Sequence, residues 1–267
     1  MISVICAGIG VPKLSKSSDV FESTMITVRD PASIHQVDVP IDGGTCHGRW
    51  HFSFDRYFDP RWMRFGTLRV FNDDTLTPGA VWPLHPHREI EVVTYCASGE
   101  FRHADENGEG GVLQEGWVQH TTVGEGMWHS EINNRKDAPM RFVQMWFTPS
   151  APGLEPSVEQ RSVEKADRTN RFLPLVSNED RGGLTILSDA RVLSSFLEAG
   201  KKISHPLEAH RGAYLYVLGG GPVRVNEEEV PSLGAVTLLD ESELSVRSEG
   251  DAELLLADVL VLEDHDP

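Results

Sequence analysis

His85-Pro86-His87-Arg88-Glu89-Ile90-Glu91 and Gly126-Met127-Trp128-His129-Ser130-Glu131 decide how this chain reads. Each stretch carries two donor side chains one residue apart. In an extended chain, residues i and i+2 point to the same face. Two strands built this way can aim His85, His87, His129 and Glu131 at one point.

The segment between them supports a strand reading. Turn signals fall at Ala97-Ser98-Gly99-Glu100, at Glu106-Asn107-Gly108-Glu109-Gly110-Gly111 and at Gln114-Glu115-Gly116. From Glu89 to Tyr95 the chain is rich in β-branched residues. The expected object is a small antiparallel barrel with a metal inside. Upstream, Arg64 to Asn72 reads as a further strand, and Met140 to Phe147 follows the second donor pair as another. Gly48 to Pro60 is dense in aromatics, which suits either core packing or a pocket rim beside the metal.

Composition excludes several classes. The formal charge of −17 leaves no basic cluster to neutralise a phosphate backbone, so direct nucleic-acid binding is not expected. Cys6, Cys46 and Cys96 form no CxxC pair and are too few for a disulfide framework, which fits a cytoplasmic protein. No apolar run approaches the ~20 residues that cross a bilayer, so no membrane partner is expected. Residues 1–24 read as a poorly ordered extension, with Met25-Ile26-Thr27-Val28-Arg29 as the first strand.

Thr148 to Pro156 is a proline-rich connector, and a second series of strands follows it. Pro78-Gly79 through Tyr95 to Gly99 can be laid on Ala199-Gly200 through Tyr216 to Gly220 at an offset of 121 residues, which points to a duplicated domain. In the second copy, Pro206 and Glu208 fall where His85 and His87 stand, so the ligands are gone. His205 and His210 are five apart, on opposite strand faces, and are expected at the surface.

Three imidazoles and a carboxylate suit Fe, Mn, Co, Ni, Cu or Zn. On a divalent ion they leave a net charge of +1, which attracts a bidentate oxyanion. Glu131 can be a ligand, a base or a hydrogen-bond acceptor beside the metal. Glu91 shares the strand parity of His85 and His87. It reads either as a strand-paired carboxylate or as a group that orients a ligand histidine, and through water it is a second candidate base. Cys96 lies on the opposite face by parity and is not expected to ligate. Gln144 and Trp128 are candidates for the pocket wall.

These residues carry a resemblance. Phe65-Gly66, Leu68-Arg69-Val70, Asn72-Asp73-Asp74, His85-Pro86-His87-Arg88 with Glu91 and Val93-Thr94-Tyr95, Gly110-Gly111, and Gly124-x-Gly126-x-x-His129-Ser130-Glu131 together resemble the pirin family of the cupin superfamily, and most of all its bacterial quercetin 2,3-dioxygenase type. The similarity runs over residues 25–267 and departs from the family pattern at Cys96-Ala97-Ser98 and at Trp128. It implies an all-β bicupin of two antiparallel, jelly-roll-like barrels with few short helices. Residues 25–148 would form the metal-binding barrel, 149–170 a linker, and 171–267 a degenerate second barrel. It implies that His85, His87, His129 and Glu131 hold the metal, with Fe(II) the usual ion. A monomer is expected because the two halves of a duplicated barrel can pack on each other. The implied activity is a dioxygenase acting on an aromatic or enol substrate with O2. The alternative is an iron-dependent redox sensor that binds a partner protein without turnover. A metal-dependent isomerase or hydrolase is a third possibility, since one fold hosts many chemistries.

Overall fold

The computed structural model describes residues 25–106, 110–179 and 182–261. The expected extension over residues 1–24, and Cys6 with it, lies outside these. Among the described residues, strands dominate and the helical segments are three short 3-10 turns, Pro31–Ser33, Pro60–Trp62 and Lys165–Arg168. The first two begin at an Asp-Pro pair. Asp30 Oδ1 accepts from the Ala32 amide at 2.8 Å and Asp59 Oδ1 from the Arg61 amide at 3.0 Å, each capping a turn too short to propagate.

The strands form two sandwiches, each a seven-stranded sheet facing a four-stranded one. In the first, the large sheet runs Ser157–Arg161, Val118–Thr122, Glu91–Ser98, Met140–Phe147, Leu68–Leu76, Gly44–Trp50, His35–Ile41. Its small sheet runs Val81–His87, Met127–Asn133, Glu100–Asp105, Val112–Gln114. The second sandwich repeats the plan. Lys202–Pro206 pairs with Glu243–Ser248 as Val81–His87 pairs with Met127–Asn133.

The two large sheets share one core. Phe52, Phe71, Val93, Tyr95, Val143 and Met145 of the first barrel join Leu175, Tyr214, Tyr216 and Leu255 of the second in a single buried cluster. Alternation then sorts each central strand. Val93 and Tyr95 face the second barrel, while Cys96, buried with Phe101 and Phe142, faces the interior of the first. The interior of the first barrel is where the donor-bearing strands point.

Two boundaries differ from the sequence reading. Met25–Arg29 does not start the first barrel: it pairs with Ala235–Leu239 at the edge of the second, Val28 opposite Val236. Its alternation defines a strand, and Ile26 and Val28 pack against the second core. Which edge a strand completes is a long-range choice that alternation does not encode. The connector is also partly strand, since Ser157–Arg161 closes the first large sheet against Val118–Thr122.

His205 is not at the surface. Ile203, His205 and Leu207 face inward in alternation with Lys202, Ser204 and Pro206. His205 Nε2 lies 2.9 Å from Asp258 Oδ2, and Arg211 and Arg191 bind the same buried carboxylate. A guanidinium–carboxylate–imidazole network thus sits beside the apolar core of the second barrel, and the His205 hydrogen bond and the Arg211 guanidinium hold the Asp258 carboxyl down despite burial. His210 is exposed, as expected.

Candidate metal centre

Val81–His87 and Met127–Asn133 run antiparallel, with His85 opposite His129 and His87 opposite Met127. Period-two alternation turns all three histidines inward, and their donor atoms lie within 4.8 Å of one another. His129 Nε2 and His85 Nε2 are 3.2 Å apart. His87 Nε2 is buried with no hydrogen-bond partner among the described residues. The register slips once, between His129 and Glu131, so that Glu131 stands opposite Trp82. The extra residue lies in the Pro83-Leu84 stretch, where proline has no amide to lose from the ladder. The bulge also leaves the Pro83 carbonyl free to meet His85 Nδ1 at 2.8 Å.

Glu131 is buried on the same strand face but falls outside the histidine group. Its carboxylate accepts from Gln144 Nε2, whose own Oε1 accepts from Trp146 Nε1 at 2.7 Å. Burial raises the Glu131 pKa, while the neighbouring His85 and the Gln144 bond oppose the rise. Deeper in the same interior, Asp74 accepts from Trp50 Nε1 at 3.2 Å, and burial with the charges of Glu131 and Asp73 pushes it up to about 8.

Burial and neighbouring imidazoles push His87 down to about 4 and His129 down to about 2. Both are therefore neutral imidazoles at physiological pH, the form that binds metal. A further histidine joins them. His103, on Glu100–Asp105, places Nε2 3.0 Å from His129 Nδ1. Its only sequence signal is inward parity on a strand, which many buried side chains share.

An aromatic wall flanks the triad. Trp146 meets His87 edge-on at 4.7 Å between centroids, Phe54 meets Trp146 at 5.3 Å and Trp50 meets Phe54 at 5.0 Å. The aromatic-rich Gly48 to Pro60 segment thus supplies both core packing, through Phe52, and part of this wall.

The comparisons fit this geometry. The Pirin family model matches residues 35–147, and a model described as a quercetinase C-terminal cupin domain matches residues 175–259. A pirin-like protein of Caulobacter vibrioides is 36% identical over 222 residues, covering 81% of this chain and 95% of its own. The chain belongs to the pirin family. A protein of Escherichia coli K12 named quercetin 2,3-dioxygenase is 30% identical over 221 residues, covering 81% of this chain and 94% of its own. The crystal structure of the bacterial pirin YhhW from Escherichia coli in complex with nickel(II) superposes with a TM-score of 0.82 at 27% identity, covering 89% of this chain and all of that one.

In this pirin the donor set fits a divalent transition ion. Two ligands held ~2.1 Å from one ion at about 90 to 100° are about 3.0 to 3.2 Å apart, which is the His85–His129 separation. The unpartnered His87 Nε2 is the third donor such an ion would satisfy.

Glu91 is elsewhere. The strand that carries His85 and His87 ends at His87, and Glu89, at φ 50°, turns the chain into the large sheet, whose strand Glu91–Ser98 begins with Glu91. Parity does not carry through that turn. Glu91 shares the parity of Val93 and Tyr95 and accepts from Thr122 Oγ1 at 3.2 Å and from the Leu187 amide of the second barrel at 3.1 Å, with His120 Nε2 at 3.2 Å. It pins the two barrels together instead of serving the histidines.

Trp128 also departs from expectation. It is 46% exposed and lines, with His103, Met127, Val158 and Gln160, a cavity of about 560 Å³ that includes none of the three histidines. Gln144 is more than wall, through its bond to Glu131. Cys46 and Cys96 are free and buried, and neither joins the triad. Among the described residues no helix is long and apolar enough to cross a membrane.

Proposed function

We propose that this chain is a metal-dependent dioxygenase of the pirin-like quercetinase type, cleaving a flavonol or related enol with O2. The observation that carries the reading is the convergence of three imidazoles beside a buried carboxylate and an aromatic wall. The names of the relatives support the same class.

His85, His87 and His129 would hold the ion, Fe(II) in our reading, with Glu131 as a fourth ligand or as the base. When bound, the ion supplies Lewis acidity for an enolate and a meeting point for the oxyanion and O2. Glu131 takes the proton from the substrate hydroxyl. Burial raises its pKa, which makes it a stronger proton acceptor than a solvated glutamate. Gln144 fixes the carboxylate so that it faces one direction, and Trp146 is held in place by the other end of the same amide. The rings of Trp146, Phe54 and Trp50 give a planar aromatic substrate surfaces to pack on and exclude water from the reacting atoms.

The test is turnover of quercetin by iron-reconstituted protein with and without O2. Oxygen-dependent loss of the flavonol absorbance is expected, and His129→Ala should abolish it. Equal rates in the absence of O2 would point to an isomerase or hydrolase. Capture of a partner protein in only one oxidation state, with no flavonol turnover, would favour the regulator.

A further inference from the structure

We propose that His103 is a positioning residue for the metal centre: it selects the ring nitrogen that His129 offers to the ion. The inference rests on the reading of His85, His87 and His129 as metal ligands. What it adds is a role for a buried histidine that contributes no donor to the triad.

A neutral imidazole has one N–H and one lone pair, and the partner of the first decides where the second points. His129 Nε2 faces His85 Nε2 at 3.2 Å, and His129 Nδ1 faces His103 Nε2 at 3.0 Å. His85 Nδ1 has the Pro83 carbonyl at 2.8 Å, an acceptor only, so the tautomer of His85 that satisfies this contact carries its proton on Nδ1 and leaves Nε2 bare. Two proton arrangements satisfy these contacts. In the metal-free protein, His103 Nε2–H donates to His129 Nδ1, and His129 Nε2–H donates to the bare His85 Nε2. With metal at both Nε2 atoms, His129 must carry its proton on Nδ1 and donate to a bare His103 Nε2.

His103 can serve both because it is itself an imidazole. Loading moves one proton from His103 Nε2 to His129 Nδ1, while the proton displaced from His129 Nε2 is balanced by one taken up at His103 Nδ1, so the pair stays neutral. His103 Nδ1 has no protein partner among the described residues, and His103 lines the 560 Å³ cavity, which gives water a route to the ring. Outer hydrogen bonds of this kind typically change metal affinity 10- to 100-fold.

The experiment measures Ni(II) affinity by chelator competition in wild type, His103→Phe and His103→Gln, with melting of each metal-free protein alongside. Phenylalanine fills the space without an acceptor, whereas the glutamine amide can accept from His129 Nδ1–H. The expected result is at least a tenfold loss in His103→Phe, recovery to within about threefold in His103→Gln, and similar melting temperatures. In Zn(II)-loaded protein labelled with 15N at histidine, His129 should show a protonated Nδ1 and a metal-bound Nε2. Less than a tenfold loss in His103→Phe, equal loss in both variants, or coordination through His129 Nδ1 would overturn the proposal. If none of the proteins binds Ni(II), wild type included, the ligand reading itself fails, an outcome distinct from the others.

Discussion

Glu131 and Gln144 show how much one hydrogen bond decides inside this barrel. Burial raises the Glu131 pKa, and the Gln144 amide restrains the rise by donating to the charged form. Gln144→Leu removes that restraint and leaves Trp146 Nε1 without its acceptor. The acid limb of the pH–rate profile should move to higher pH, with kcat down about 10- to 100-fold at neutral pH. An unchanged limb would exclude Glu131 as the titrating base. Asp74 gives a stability counterpart. Its folded pKa of about 8 stands far above the unfolded carboxylate value, so the folded state binds the extra proton between the two. Stability from this group is complete below the unfolded value and is lost as pH rises through about 8, at up to ~1.4 kcal/mol per pH unit. Asp74→Asn should flatten the fall in melting temperature across that window, and denaturant titrations from pH 5 to 9 would show it.

The strands themselves explain what could be read in advance. His85, His87 and His129 were legible because each pair of donors is local, and period-two alternation needs only one strand to be regular. Alternation failed wherever regularity ended. Glu91 lies four residues beyond His87, but the turn at Glu89 carries it into the other sheet, where it meets His120 and the second barrel. His103 was missed because a single histidine 26 residues before His129 carries no paired signal. The spacing of His205 to His210 misleads because the strand ends at Pro206, before His210, and its inward residues are Ile203 and His205. The corrected place of Glu91 has a consequence. Burial pushes its pKa up, but His120, the Leu187 amide and Thr122 together hold it below the usual glutamate range. Glu91→Gln should therefore leave Ni(II) affinity within about twofold and lower stability by about 1 to 3 kcal/mol. The deficit should shrink as pH falls through the depressed pKa, because wild type then loses the same charge.

At the scale of the whole molecule, the two barrels are joined by more than a connector. Met25–Arg29 precedes the first barrel in sequence yet completes the second. The Arg29 guanidinium stacks on Trp62 of the first barrel at 3.7 Å, and its Nη1 donates to the His51 carbonyl. Tyr216 Oη donates to Asp73 Oδ2 at 2.6 Å, and Arg141 binds the same carboxylate from the side. None of these pairings is visible in a local pattern, since each joins residues tens to hundreds of positions apart. A shared core with such ties makes the halves thermodynamically one unit, because neither large sheet can lose its partner without exposing aromatic side chains to water. Tyr214 packs against Phe52, Phe65 and Phe71 across that interface. Tyr214→Ala should thus cost about 3 to 5 kcal/mol, as large aromatic truncations in cores do, although the residue belongs to the barrel without metal ligands. In a protein loaded with Ni(II), release of the ion and loss of second-barrel structure should coincide on heating, and both should shift together in Tyr214→Ala. Two separated transitions, with metal release unmoved by the substitution, would show that the first barrel holds its centre alone and that the common core does not couple the halves.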